Sequence, residues 1–90
     1  MGWRWLTAAE VVSPRPCVLK GLLVTPSAAA AACTVYNGES DQDPVALSIE
    51  VATQDSREFT FPAGLELDRG LYVGNFTNIT GILVLWEPKV

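Results

Sequence analysis

Asp68-Arg69-Gly70-Leu71-Tyr72-Val73-Gly74-Asn75, then Thr80-Gly81-Ile82-Leu83-Val84-Leu85-Trp86-Glu87, is the stretch that decides how this chain is read. An Arg-Gly step feeds a short strand, a polar turn follows, and a longer apolar strand closes the sequence. The last strand is apolar on both faces, with Ile82, Val84 and Trp86 on one and Leu83 and Leu85 on the other. A strand of that kind wants cover on both sides. One side is the domain's own core; the other needs a second sheet, an arm or another subunit. The two segments read as a hairpin, with Gly70 at positive φ in the tight turn.

Working outward, Leu65 to Asp68 is a short strand, set off by Pro62-Ala63-Gly64 from a strand over Arg57 to Phe61. Val45 to Ala52 alternates, with Val45, Leu47, Ile49 and Val51 on one face, as a half-buried antiparallel strand does. Ala31 to Asn37 ends at the turn signal Asn37-Gly38. The run Ala28 to Ala32 favours helix by propensity, but it is too short to nucleate one alone. Cys17 to Thr25 is a strand with Leu19, Gly21 and Leu23 on one face and Val18, Lys20, Leu22 and Val24 on the other. Short strands with a turn signal every 8–12 residues or so point to a sandwich or barrel. The expected fold is all-β, an antiparallel β-sandwich, jelly-roll-like, with about seven or eight short strands.

Residues 1–16 read as an extended N-terminal arm, because Ser13-Pro14-Arg15-Pro16 prevents regular ladder pairing. Residues 17–90 form the single sandwich domain. Its expected core is Leu22, Val24, Val35, Leu47, Ile49, Val51, Phe59, Phe61, Leu67, Leu71, Val73 and Val84. Trp3 and Trp5, beside the terminus, either close the core or anchor the arm on a neighbour. With Leu83 and Leu85 they are the candidate interface residues.

At 90 residues the chain is one small domain with a thin stability margin, for which self-association is a natural source of burial. The net charge of −4, with Arg4, Arg15, Lys20, Arg57, Arg69 and Lys89 scattered, argues against nucleic acid. No stretch is long and apolar enough for a membrane helix. Leu22-Leu23-Val24 followed by the alanine run and Cys33 imitates a lipoprotein signal. Pro26 and Ser27 interrupt it and Glu10 sits where a basic leader belongs, so no signal is expected.

The chain has no histidine, which removes the commonest general base and the commonest metal ligand together. No catalytic residue, cofactor or metal is expected, and the chain is not read as an enzyme. Asp41 and Asp43 are the one carboxylate pair worth naming, but on a loop they lack a cleft to shift their pKa. Glu39, Asp41, Asp43 and Glu50 imitate a calcium loop whose required glycine is replaced by Pro44. Cys17 and Cys33 lack CxxC spacing and read as buried thiols, with a bridge as the alternative. Asn75-Phe76-Thr77 and Asn78-Ile79-Thr80 match the glycosylation triplet, a pattern common by chance.

Five signals recur in order: Lys20-Gly21-Leu22, Thr34-Val35-Tyr36-Asn37-Gly38, Phe59 to Pro62, Gly70-Leu71-Tyr72-Val73, and Thr80-Gly81 running to Trp86-Glu87. In this order the sequence resembles the small β-sandwich virion structural proteins of tailed bacteriophages, over roughly residues 17–88. The resemblance implies a non-enzymatic capsid decoration or cement protein. Such a protein binds the outer capsid surface as a homo-oligomer, with a trimer favoured, and its partner is the major capsid protein or another virion protein. It implies a place in the virion, assembled in the bacterial host cytoplasm. The alternatives are a tail, baseplate or fibre-base component, and a carbohydrate-binding module using Tyr72, Phe76 and Trp86.

Overall fold

The computed structural model describes residues 2–89. Eight strands run in chain order: β1 (Gly2–Leu6), β2 (Glu10–Ser13), β3 (Cys17–Pro26), β4 (Ala31–Tyr36), β5 (Val45–Val51), β6 (Arg57–Leu67), β7 (Leu71–Thr77) and β8 (Ile79–Pro88). They form two four-stranded antiparallel sheets, β1-β8-β3-β6 and β2-β7-β4-β5. The pairs β1·β8, β2·β7, β3·β6 and β4·β5 are nested, so the chain is one long antiparallel ribbon folded over itself. That is the jelly-roll arrangement, with the ribbon wound so that alternate pairs fall in opposite sheets.

The core lies between the sheets. Leu6, Leu19, Leu22, Leu67, Leu71 and Ile82 are among its fully buried side chains. Each contributes about 1.5–3 kcal/mol by leaving water, and most of that is offset by lost chain entropy. Leu22, Val24, Val35, Ile49, Val51, Leu67, Leu71, Val73 and Val84 are buried as expected from alternation. Leu47, Phe59 and Phe61 are only half-buried and pack against the core from its margin.

Four expectations are corrected. Residues 1–16 are not an arm across their described length, for β1 pairs with β8 and β2 pairs with β7. The turn between β1 and β2 carries the chain from one sheet to the other. Arg4 of β1 and Glu10 of β2 form an ion pair across the open edge between them. Val12 is an extra residue in the β2·β7 ladder, which lets both Val12 and Ser13 face inward despite Pro14.

The second correction concerns β3. The ladders to both neighbours slip between Leu19 and Gly21, so Lys20 is a bulge. One extra residue resets the period of two. Cys17, Leu19, Leu22 and Val24 therefore all face the core, while Lys20, Gly21 and Leu23 belong to the outside.

Third, Pro62-Ala63-Gly64 does not end a strand. It lies in a wide irregularity of β6, between Thr60 opposite Gly21 and Leu65 opposite Leu19, with Gly64 at φ +81°. A Cβ there would overlap the Val18 side chain.

Fourth, β7 and β8 are not a hairpin. They lie in different sheets, joined by a corner at Asn78 with φ +53°. Asparagine tolerates this left-handed conformation better than most residues. The Asn78 side chain donates to the Ala29 and Ala30 carbonyls and pins the corner to the alanine run.

Candidate functional site

The first sheet has its inward side on the core. Its outer side is built by β8 and its two neighbours. Alternation along β8 sends Ile82 and Val84 inward and Leu83 and Leu85 outward, where both remain half-exposed. β1 lies alongside with Trp3 opposite Leu85 and Trp5 opposite Leu83. Residues directly opposite in an antiparallel ladder share a face. The structure thus brings Trp3, Trp5, Leu83 and Leu85 together on one surface.

β3 extends that surface on the other flank of β8. Leu23 is opposite Leu83 and Gly21 is opposite Leu85. β6 supplies the far border, with Glu58 opposite Leu23 and Thr60 opposite Gly21. Because Gly21 has no side chain, a small hollow of about 60 Å³ opens there, bounded by Leu23, Leu83, Leu85, Glu58 and Thr60. A Cβ at Gly21 would sit 3.2 Å from the Phe59 carbonyl oxygen, so the hollow reaches close to bare backbone.

The two indoles are not equivalent. Trp5 is 44% exposed and Trp3 is 71% exposed. Trp5 leans over Gly81 of β8, in space that a Cβ at Gly81 would occupy. Trp3 stands free at the margin. A tryptophan left that open costs solvation free energy that burial in a contact would recover. Charge enters at one end of the face, where Lys20 and Glu87 pair at 3.4 Å, and at the β6 border, where Glu58 stands.

The other residues singled out by sequence are dispersed. Tyr72 faces outward from the second sheet and packs on Tyr36, with ring centres 5.7 Å apart. Phe76 packs against the core from its margin, as does Trp86, whose indole borders Gly2 of β1. Tyr72, Phe76 and Trp86 do not make a common platform for a sugar ring. Asn75 has φ +55° at a bulge of β7. Its amide donates to the Tyr36 hydroxyl and to Thr34 Oγ1. Both sequon asparagines are thus engaged within the fold, Asn78 through backbone carbonyls and Asn75 through the Tyr36 and Thr34 side chains.

The acidic loop is closed by its own groups. Asp43 Oδ2 accepts from the backbone N–H of Glu39 at 2.8 Å and of Ser40 at 3.2 Å, and Asp43 Oδ1 pairs with Arg69 at 3.2 Å. The Glu39 N–H first, and then the Arg69 charge and the Ser40 donors, hold the Asp43 carboxyl below its ordinary range. Asp43 is therefore a fastening for the loop. Among the described residues no cluster of three or more His, Cys, Asp or Glu is placed to hold a metal ion.

Cys17 and Cys33 are free and buried, one in each sheet. Burial pushes the Cys33 thiol up to about 11. It also raises Cys17, against a smaller opposing effect of a hydrogen bond with Ser13. Thiols held protonated in this way are poor nucleophiles. An open depression of about 440 Å³ lies along Ala30 to Ala32 and Glu50 to Ala52, where the small side chains leave room. Its walls are methyl groups and backbone with a single carboxylate.

Sequence alternation found the four residues of the outer face but missed Leu23 and Gly21. The signal that would have found them is Lys20-Gly21, a charged residue and a glycine inside an apolar run, which marks a bulge. No protein-family model, no curated protein and no solved structure matches this chain.

Proposed function

We propose that this chain is a non-enzymatic structural protein of a tailed-phage virion, a decoration or cement protein that binds the outer capsid surface as an oligomer. The observation that carries the reading is the apolar outer face of the first sheet, where Trp3, Trp5, Leu23, Leu83 and Leu85 lie together on a small acidic domain. A fold alone does not give a function. The support comes from that face and from the ordered signals that resemble small virion proteins. Copies of a rigid, edge-paired sandwich fastened by such faces would brace a shell without chemistry.

The test is binding to particles lacking the protein. Wild-type chain is expected to bind at hundreds of copies per particle, and Trp3→Asp is expected to lose that binding. Apolar contacts persist or strengthen in salt, so attachment is expected to survive molar sodium chloride and to be indifferent to chelators. Release by salt alone would instead assign the contact to Arg4, Arg15 and Arg57. A stoichiometry of a dozen or fewer would move the protein to the tail or baseplate. No binding at any particle surface would overturn the reading.

A further inference from the structure

We propose that Asn37-Gly38 is a self-modification site that the fold holds closed. It loses ammonia to a cyclic imide only when the junction between the β4–β5 loop and the β6–β7 turn opens. The chemistry lies in the sequence. Asn37 is followed by glycine, which has no side chain to crowd its own backbone nitrogen. Once solvent hydroxide has taken its proton, that nitrogen attacks the carbonyl carbon of the Asn37 side chain. A C–N bond forms, the bond from that carbon to the side-chain nitrogen breaks, and the nitrogen leaves as ammonia with a proton from water, which regenerates hydroxide. Water then opens the imide at either carbonyl. The product is aspartate, or an isoaspartyl link whose main chain runs through the side-chain carbon. The other asparagines, Asn75 and Asn78, precede Phe76 and Ile79, whose side chains crowd the attacking nitrogen.

The fold withholds both reacting groups. The Gly38 N–H donates to the Gly70 carbonyl at 3.2 Å, so the proton that must leave is already held. The Asn37 Oδ1 accepts from the Arg69 N–H at 2.9 Å, which anchors the amide to the opposing turn. The Asn37 N–H donates to the Pro44 carbonyl at 2.8 Å and closes the base of the loop. Gly38 is buried, and a Cβ there would overlap the Asp43 side chain. The two backbones approach so closely that a Cβ at Gly70 would sit 2.8 Å from the Gly38 carbonyl oxygen. Attack requires the Asn37 amide to turn toward Gly38, and these bonds prevent it. Asp43 is the latch. Its carboxylate takes the Glu39 and Ser40 N–H groups on one side and pairs with Arg69 on the other. It thereby ties the loop that carries the site to the turn that occludes it. The gate is local opening of this junction and does not need global unfolding.

The two products differ in what they leave behind. Aspartate keeps an oxygen where Oδ1 was, so the contact with the Arg69 N–H survives. The isoaspartyl link adds an atom to the main chain between positions 37 and 38. The hydrogen bonds of the Asn37 N–H to Pro44 and of the Gly38 N–H to Gly70 then cannot both be kept. A junction converted in that way does not close again.

The experiment holds the full chain in mildly alkaline buffer and follows ammonia release and the gain of negative charge, with peptide mapping to place the converted residue. Native protein is expected to convert at least about tenfold more slowly than protein unfolded in guanidinium chloride, because opening precedes reaction. Asp43→Ala, which removes the latch, is expected to convert faster than native protein with an unchanged circular dichroism spectrum. Arg69→Ala removes the ion pair from an exposed side chain and leaves the backbone donor in place, and it repeats the test should Asp43→Ala disturb the fold. Conversion is expected at Asn37, with Asn75 and Asn78 intact. The purified isoaspartyl form is expected to melt below Asn37→Asp. Equal rates in native and unfolded protein, no acceleration in either variant, conversion first at Asn75 or Asn78, or an isoaspartyl form that melts together with Asn37→Asp overturns the proposal. The virion reading is tested separately, by particle binding.

Discussion

The Trp5 indole lies over Gly81, filling the place that a side chain at that position would take on the neighbouring strand. β1 is thereby keyed to β8 by shape as well as by ladder hydrogen bonds. Gly81→Ala is expected to expel the ring, costing about 1–3 kcal/mol as overpacking does. Chemical denaturation reads the loss, and a red-shifted emission reports the displaced indole. Unchanged stability and emission would show that the contact has slack.

Removal of residues 2–13 strips an edge strand from each sheet and takes away the buried Leu6 and Val12. The truncated chain is expected to lose its cooperative thermal transition. By contrast, Arg4→Ala removes only a half-exposed ion pair with Glu10, worth about 1 kcal/mol or less and weakened by salt. A cooperative melt of the truncated chain would mean that six strands suffice.

Leu71 is fully buried and Phe61 is half-buried at the margin. Leu71→Ala is expected to cost about 2–5 kcal/mol. Phe61→Ala is expected to cost less, although phenylalanine is the larger side chain, because part of the ring is already in water. Reversal of that order in urea denaturation would place Phe61 deeper than it sits here.

Asp43 gives an acid-side signature. Its carboxyl is held below the ordinary value of 3.8, chiefly by the Glu39 N–H. A depressed folded pKa makes its stabilising contribution complete above 3.8; the contribution fades as pH falls from there and is gone below the folded pKa. Asp43→Asn is expected to flatten that part of the stability–pH curve and leave the neutral region little changed. An identical acid limb in the variant would assign the dependence to other carboxylates.

Cys33 gives the alkaline counterpart. Its thiol is pushed from 9.0 up to about 11 by burial. The unfolded chain therefore loses this proton first, and stability present below pH 9 declines as pH rises toward 11. Cys33→Ala is expected to remove that decline. In native protein near neutrality a thiol reagent is expected to react only after urea is added.

What the sequence disclosed follows from what alternation encodes. Leu47 to Val51 and Leu71 to Val73 announce strands and a buried side because a period of two has one physical meaning; Val45, read on the same side, is instead 59% exposed, because the ladder slips at Ala46. Trp3 with Trp5, and Leu83 with Leu85, each share a face for the same reason. Alternation is blind to an inserted residue, and Lys20 is one; it put Leu19 with Leu23 where the fold puts Leu19 with Leu22. Alternation is equally blind to whether a turn stays within a sheet. Asn75 to Asn78 reads as a tight reversal, and only tertiary pairing sends β7 to β4 and β8 to β3. The prolines at 14 and 16 argued for an unpaired arm. They lie just beyond β2, outside its ladder, so β2 still pairs with β7 as far as Ser13.

The nested ribbon fixes an order of events as the polypeptide is made. The pair β4·β5 spans the shortest loop and can zip first, since closing a short loop costs the least entropy. Pairing then spreads toward both termini, and the β1·β8 ladder, joining Gly2 to Trp86, needs nearly the whole polypeptide. Trp3 comes to lie beside Leu85 only in that final step. A chain cut short before β8 therefore lacks this surface, because Trp3 and Leu85 come side by side only when β1 pairs with β8.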